Sequence, residues 1–163
     1  MGRTKEKSYD ILNTIRDLYS DIADFKEGVK VEGKPKVGFK TTFTKKITYA
    51  DVFLFSLISG NWNPLHHDEK VASKTKFGKR VAHGLLTSSL ASALMEEFPG
   101  LVVLLSASFR YKKPVYLGDT IQGEAVITEE LTKNRFRVSV KFVNQNHEEV
   151  VDGECIILIW PKI

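Results

Sequence analysis

Arg135-Phe136-Arg137-Val138-Ser139-Val140-Lys141-Phe142-Val143 alternates polar and apolar side chains residue by residue. Successive side chains of a strand point to opposite faces. The alternation therefore predicts a half-buried strand, with Phe136, Val138, Val140 and Phe142 on the inner face and Arg135, Arg137, Ser139 and Lys141 on the outer. Working outward, Asn144-Gln145-Asn146-His147 is turn material, and Val150 to Trp160 reads as the next strand. Upstream, Tyr116-Leu117-Gly118-Asp119 reads as a turn leading into a strand from Thr120 to Glu129. Leu101 to Tyr111 reads as another strand, mostly apolar. Residues 37–47, rich in Thr and Phe, predict one more. Short connections between successive strands imply an antiparallel sheet.

The helical signals lie N-terminal to these strands. Ile11, Leu12, Ile15, Leu18, Tyr19, Ile22 and Phe25 recur at helical spacing and predict an amphipathic helix over residues 8–26. Gly28 and Gly33-Lys34-Pro35 break it. Thr48-Tyr49-Ala50-Asp51 has the form of a helix start, with Thr48 as N-cap and Asp51 at the third helical position. Val52 to Ile58 continues that helix, and Gly60 stops it. Asn63-Pro64 predicts a turn, and Asp68 caps a short helix over 69–74. A longer, largely buried helix should begin near Gly84 and run to about Phe98, where Pro99-Gly100 ends it. Its apolar positions are Leu85, Leu86, Leu90, Ala93, Leu94 and Phe98. One long apolar helix laid on an antiparallel sheet is an α+β fold. Residues 1–36 then form an N-terminal helix and linker, and residues 37–163 the sheet domain.

A chain of 163 residues fits one such domain with a sizeable core. The net charge of +4 suits an anionic small ligand or an acidic partner. It is too small to argue for nucleic acid. Cys155 is the only cysteine, which excludes a disulfide within the chain and points to an intracellular, cytoplasmic home. No apolar run approaches the roughly 20 residues of a membrane span. Met1 to Lys7 lacks the apolar segment of a secretory signal.

Three of the four histidines fall between Ser59 and Leu85. The stretch reads Ser59-Gly60-Asn61-Trp62-Asn63-Pro64-Leu65-His66-His67-Asp68, and then Val81-Ala82-His83-Gly84-Leu85. Imidazole is the side chain best matched to proton transfer near neutral pH, which makes His66 a candidate, although a lone histidine after Asn-Pro also reads as a polar residue satisfied by neighbouring backbone. Gly84 opens the predicted long helix, where backbone N–H groups lack partners and a ligand can approach closely. His67 and Asp68 read as a solvated helix start, and His83 as a residue that positions the helix entry. No repeated ligand spacing is present, so no metal site is expected. Lys74, Lys76, Lys79 and Arg80 form one basic group; Arg110, Lys112 and Lys113 form another. Each suits an anionic ligand or an acidic partner, and equally an ordinary solvated face. The pairs Glu96-Glu97 and Glu129-Glu130 read as surface charge. The sequence carries no Gly-rich phosphate loop, nucleophile elbow or dinucleotide fingerprint.

The segment from Ser59 to His66 resembles the hydratase motif of MaoC-like proteins, the (R)-specific enoyl-CoA hydratases and dehydratases. The resemblance extends through Phe77, Ala82-His83-Gly84-Leu85 and the run from Phe109 to Thr120, so it covers about residues 40–160. It implies the hot-dog fold, a curved antiparallel sheet wrapped around a central helix. It also implies reversible hydration of a trans-2-enoyl thioester to the (R)-3-hydroxyacyl thioester. The acyl group would be carried by coenzyme A or an acyl-carrier protein, with no further cofactor. A homodimer is expected from the resemblance and from the open edge of a single sheet. By resemblance His66 is the acid/base, the Gly84 N–H donates to the developing oxyanion, and His83 and Asn63 help to bind substrate. The motif places an aspartate where this chain has Asn61. Asparagine does not take up a proton at neutral pH, but its amide can orient a water. Two other readings stay open. One is a non-catalytic or partner-dependent acyl-thioester binding protein, which Asn61 favours. The other is a hot-dog thioesterase, which needs a carboxylate aimed at the carbonyl carbon.

Overall fold

The computed structural model describes residues 33–160. The helix expected over residues 8–26 lies outside them. Five strands form one sheet: β1 (Lys40–Lys46), β2 (Leu101–Tyr111), β3 (Thr120–Thr132), β4 (Arg135–Val143) and β5 (Glu149–Trp160). Their order is β1-β3-β4-β5-β2, and every neighbouring pair is antiparallel. Alternation carries the inner face across the sheet, because register aligns it. Ile127 pairs with Val138, Val138 with Cys155, and Cys155 with Ala107. Phe136, Val138, Val140 and Phe142 are all buried, as β4 alone predicts. At Gly123 a Cβ would meet the Phe142 ring at 2.6 Å and Leu94 at 3.1 Å. Only glycine lets that ring lie across β3 beneath the helix.

Among the described residues, five short helices lie between β1 and β2: α1 (Tyr49–Ser59), α2 (Pro64–His67), α3 (Glu69–Ala72), α4 (Gly84–Ser89) and α5 (Ala91–Glu96). α1 opens with the expected capping box. Thr48 Oγ1 accepts from Asp51 N–H, Asp51 accepts from Thr48 N–H, and Gly60 closes the helix with φ +73°. Asn63-Pro64, read as a turn, opens α2 instead. Asn63 is its N-cap and proline supplies the first helical residue, where no N–H is needed.

The expected long helix from Gly84 to Phe98 is two six-residue helices that meet at Leu90. The reason lies in Thr87-Ser88-Ser89. Their hydroxyls bond back to His83 O (3.4 Å), Leu85 O (3.2 Å) and Leu86 O (2.7 Å). Such back-bonds compete for helix carbonyls. Leu90 N–H accordingly turns to Thr87 O, a tighter three-residue bond. Leu86, Leu90, Leu94, Met95 and Phe98 are buried, whereas Leu85, assigned to the same face, is 66% exposed. α5 packs on β1, β2 and β3. A buried bond from Thr41 Oγ1 to Leu94 O (2.9 Å) fixes it to β1. β1 and β2 are the sheet edges, and β2 leaves Leu101, Leu104 and Leu105 about half exposed.

Candidate active site

α2 and α4 present their functional side chains to one cavity of about 540 Å³. Its wall includes His66, Phe77, Gly84, Tyr111, Val115 and Tyr116. The extended strand β2 brings Tyr111 across the first turn of α4. A Cβ at Gly84 would stand 3.1 Å from the Tyr111 ring, whose hydroxyl lies 3.0 Å from Ser88 Oγ. Gly84 therefore serves as more than a turn into the helix: a side chain there would crowd the Tyr111 ring, which would have to shift to admit it.

His66 is buried, with Nδ1 2.8 Å from Val81 O. A carbonyl only accepts, so Nδ1 carries the proton and Nε2 keeps its lone pair for the cavity. Val81 is held in turn by an isolated bridge to Tyr116, and Ala82 N–H bonds to Val115 O. The loop from β2 to β3 thus fixes the histidine from across the cavity mouth.

Asn61, Asn63 and His83 stand outside that wall. Asn61 and Asn63 are exposed, and their side chains are used locally. Asn61 Oδ1 accepts from Asn63 N–H at 3.1 Å, and Asn63 Oδ1 accepts from Leu65 N–H at 3.0 Å. Together they shape the turn that delivers His66. His83 is buried and caps α4 without a side-chain cap bond. Its ring lies on that of His66, with centroids 3.7 Å apart. Its Nε2 donates to Asn61 O at 3.2 Å.

His67 departs from the solvated surface the sequence suggests. Its Nε2 lies 2.8 Å from the Ser56 hydroxyl, and its ring packs on Trp62 at 5.1 Å. Burial pushes both His67 and His83 below the ordinary imidazole range, and the nearby His66 adds to the effect. Asp68 behaves as read, capping α3 through Lys70 and Val71 N–H. The three rings come closer together than adjacent positions suggest, yet no group of three potential ligands able to hold a metal is found among the described residues.

The two basic groups separate. Arg110 and Lys112 hold Asp152 at about 2, Lys112 also pairs with Glu149, and Lys113 pairs with Glu148. Lys112 and Lys113 reach the cavity already neutralised. Lys76, also on the wall, has no carboxylate partner among the described residues; its ammonium lies 5.4 Å from the Phe77 ring centroid. Lys79 lies over Tyr116 at 4.3 Å. Tyr111 and Ser56 are the residues that the sequence left unremarked. Ser56 shows there only as one hydroxyl inside the apolar run Val52 to Ile58.

Known proteins resemble this chain in sequence and fold. A mitochondrial 3-hydroxyacyl-[acyl-carrier-protein] dehydratase of Arabidopsis thaliana is 36% identical over 130 residues, covering 76% of this chain and 77% of the relative. A crystal structure of an Archaeoglobus fulgidus protein superposes with a TM-score of 0.81 at 42% identity, covering 96% of this chain and 100% of that one. An R-hydratase of Pseudomonas aeruginosa gives a TM-score of 0.73 at 38% identity, covering 79% and 84%. The family profile described as MaoC like domain matches residues 30–151, which takes in β1 and both halves of the site. The chain belongs to the MaoC like domain family.

Proposed function

We propose that the protein catalyses the reversible addition of water to a trans-2-enoyl thioester, giving the (R)-3-hydroxyacyl thioester. The observation that carries this reading is that His66 and Gly84 line one cavity, with His66 Nδ1 spent on Val81 O and Nε2 left for substrate. As the water oxygen bonds to C3, Nε2 takes its proton; the same proton is then delivered to C2. The net change is one H and one OH added across the double bond. Negative charge that builds on the thioester oxygen meets the backbone N–H of Gly84. Asn61 orients the water from the edge of the site. His83 supports His66 by stacking, and Asn63 holds the turn. Coenzyme A or an acyl-carrier protein brings the acyl group, Lys76 meets its anionic part, and no other cofactor takes part. The names of the relatives, a dehydratase and an R-hydratase, support the reaction class.

Two copies pair through β2, whose outer edge has no strand beside it among the described residues and whose leucines are half exposed. The catalytic unit is residues 37–163. A single cysteine, buried in β5, suits the reducing cytoplasm. No helix among the described residues is long and apolar enough to cross a membrane.

His66→Ala tests the reaction. Hydration of crotonyl-CoA should fall about 10²–10⁴-fold while the fold is retained. Equal turnover removes His66 from the chemistry. A binding protein without catalysis is the second reading, favoured by the exposed Asn61 turned to its own backbone. It predicts saturable acyl-CoA binding with no turnover in the wild type.

A further inference from the structure

Ser56 is fully buried in the apolar middle of α1. A buried hydroxyl is costly unless it has partners. Here the partners are two imidazoles: His67 Nε2 at 2.8 Å and His83 Nε2 at 3.3 Å. His83 Nε2 must carry a proton, because it also faces the carbonyl of Asn61 at 3.2 Å. The Ser56 oxygen can then accept from His83 while its hydrogen points to His67 Nε2. That leaves the His67 proton on Nδ1 and a bare lone pair on His83 Nδ1. Both Nδ1 atoms are buried without a hydrogen-bond partner among the described residues.

The consequence concerns which ring can accept charge. A second proton on His83 would sit on the buried Nδ1 with nothing to receive it. His66 faces no such obstacle, since its Nδ1–H already has Val81 O and its Nε2 opens on the cavity. The two rings are stacked at 3.7 Å, so a cation on His83 would oppose the cation that His66 forms during turnover. His67 is surrounded likewise by His66 and by Arg80, whose guanidinium lies over the Tyr49 ring beside it.

We propose that Ser56 and His67 are positioning residues of this site: together with the Asn61 carbonyl they hold His83 as a neutral ring protonated on Nε2, which confines proton traffic to His66. The link to turnover rests on the hydratase reading; the ring states do not.

Histidine-selective 15N labelling of the full chain gives four rings to observe. Long-range proton–nitrogen spectra read each tautomer and titration. From about pH 5 to 8, His83 should stay neutral with its proton on Nε2, and His67 neutral with its proton on Nδ1. His66 should carry its proton on Nδ1. A His83 that carries Nδ1–H, or titrates like a free imidazole, overturns the proposal. Ser56→Ala should free the His67 ring to exchange tautomers, while Asn61 O still favours the proton on His83 Nε2. Ser56→Ala and His67→Leu should each lower kcat about tenfold, the loss of one good hydrogen bond, with KM unchanged. The double variant should lose no more than either single one, because the pair acts as a unit. Additive losses, or a raised KM with kcat unchanged, overturn it too. A wild type with these ring states but no hydratase activity refutes the reaction and supports the ring assignment. An active wild type with a titrating His83 does the reverse.

Discussion

Asn61→Asp puts the missing carboxylate into the motif and tests how this site moves protons. Asn61 is exposed, and its Oδ1 accepts from Asn63 N–H at 3.1 Å. Aspartate keeps that acceptor, so the turn survives and stability should change by less than about 0.5 kcal/mol. Exposure leaves the new carboxyl near its ordinary pKa of about 3.9, ionised from roughly pH 5 upward. One of its two oxygens stays tied to Asn63 N–H, and the other is free to take a proton from water. A general base contributes about 10²–10⁴-fold. With one oxygen engaged and the side chain beyond the cavity wall, the gain should lie at the lower end, about 10²-fold, or about 2.7 kcal/mol off the barrier. The assay is initial-rate hydration of crotonyl-CoA and longer enoyl-CoAs, with both proteins compared across pH. The advantage should hold through neutral pH and fade as pH falls through about 4, where the carboxylate protonates. A variant no faster than the wild type at every pH refutes this reasoning and leaves His66 as the sole carrier of the proton.

Leu94 is fully buried between the helix and Gly123, so Leu94→Ala should cost about 3–5 kcal/mol in urea unfolding. Leu104 stands on the outer edge strand at 54% exposure; Leu104→Lys should turn a dimer into a monomer by light scattering while each copy stays folded. His67 and His83 are both depressed in the folded state by burial. The unfolded chain then binds more protons below its imidazole pKa of about 6.5. Stability should therefore be full above that pH and fall as pH drops through the depressed folded values. His67→Leu should flatten part of that acid slope in thermal melts.

The strands were legible because their physics is local. β2 and β4 begin and end where apolar content and alternation say, and the paired faces follow from period two alone. The capping box of α1 was equally plain, since Thr48 and Asp51 satisfy each other within one turn. The break in the helix is not legible in the sequence, although Thr87-Ser88-Ser89 supplies its hydroxyls. Whether hydroxyls turn back onto carbonyls depends on the packing around them. The site divides in the same way. His66 and Gly84 meet at one cavity although eighteen positions separate them, which the ordered motifs imply by resemblance. Asn61 and Asn63 shape the turn instead of the wall, because each amide finds a backbone N–H two residues ahead. The Ser56–His67 bond joins two elements across a turn, and nothing local in sequence announces such a pairing.

The break at Leu90 divides the helix into two mechanical halves. The half that begins at Ala91 is clamped by Thr41 and the core. The half that begins at Gly84 touches the cavity, with its first two residues exposed. Local opening of the first turn therefore need not disturb the second. In native-state hydrogen exchange, the amides at Leu94 and Met95 should report global unfolding, while that at Thr87, bonded to His83 O, exchanges through a smaller, separate fluctuation. The end of the helix that lines the cavity can thus yield to a ligand without loosening the core.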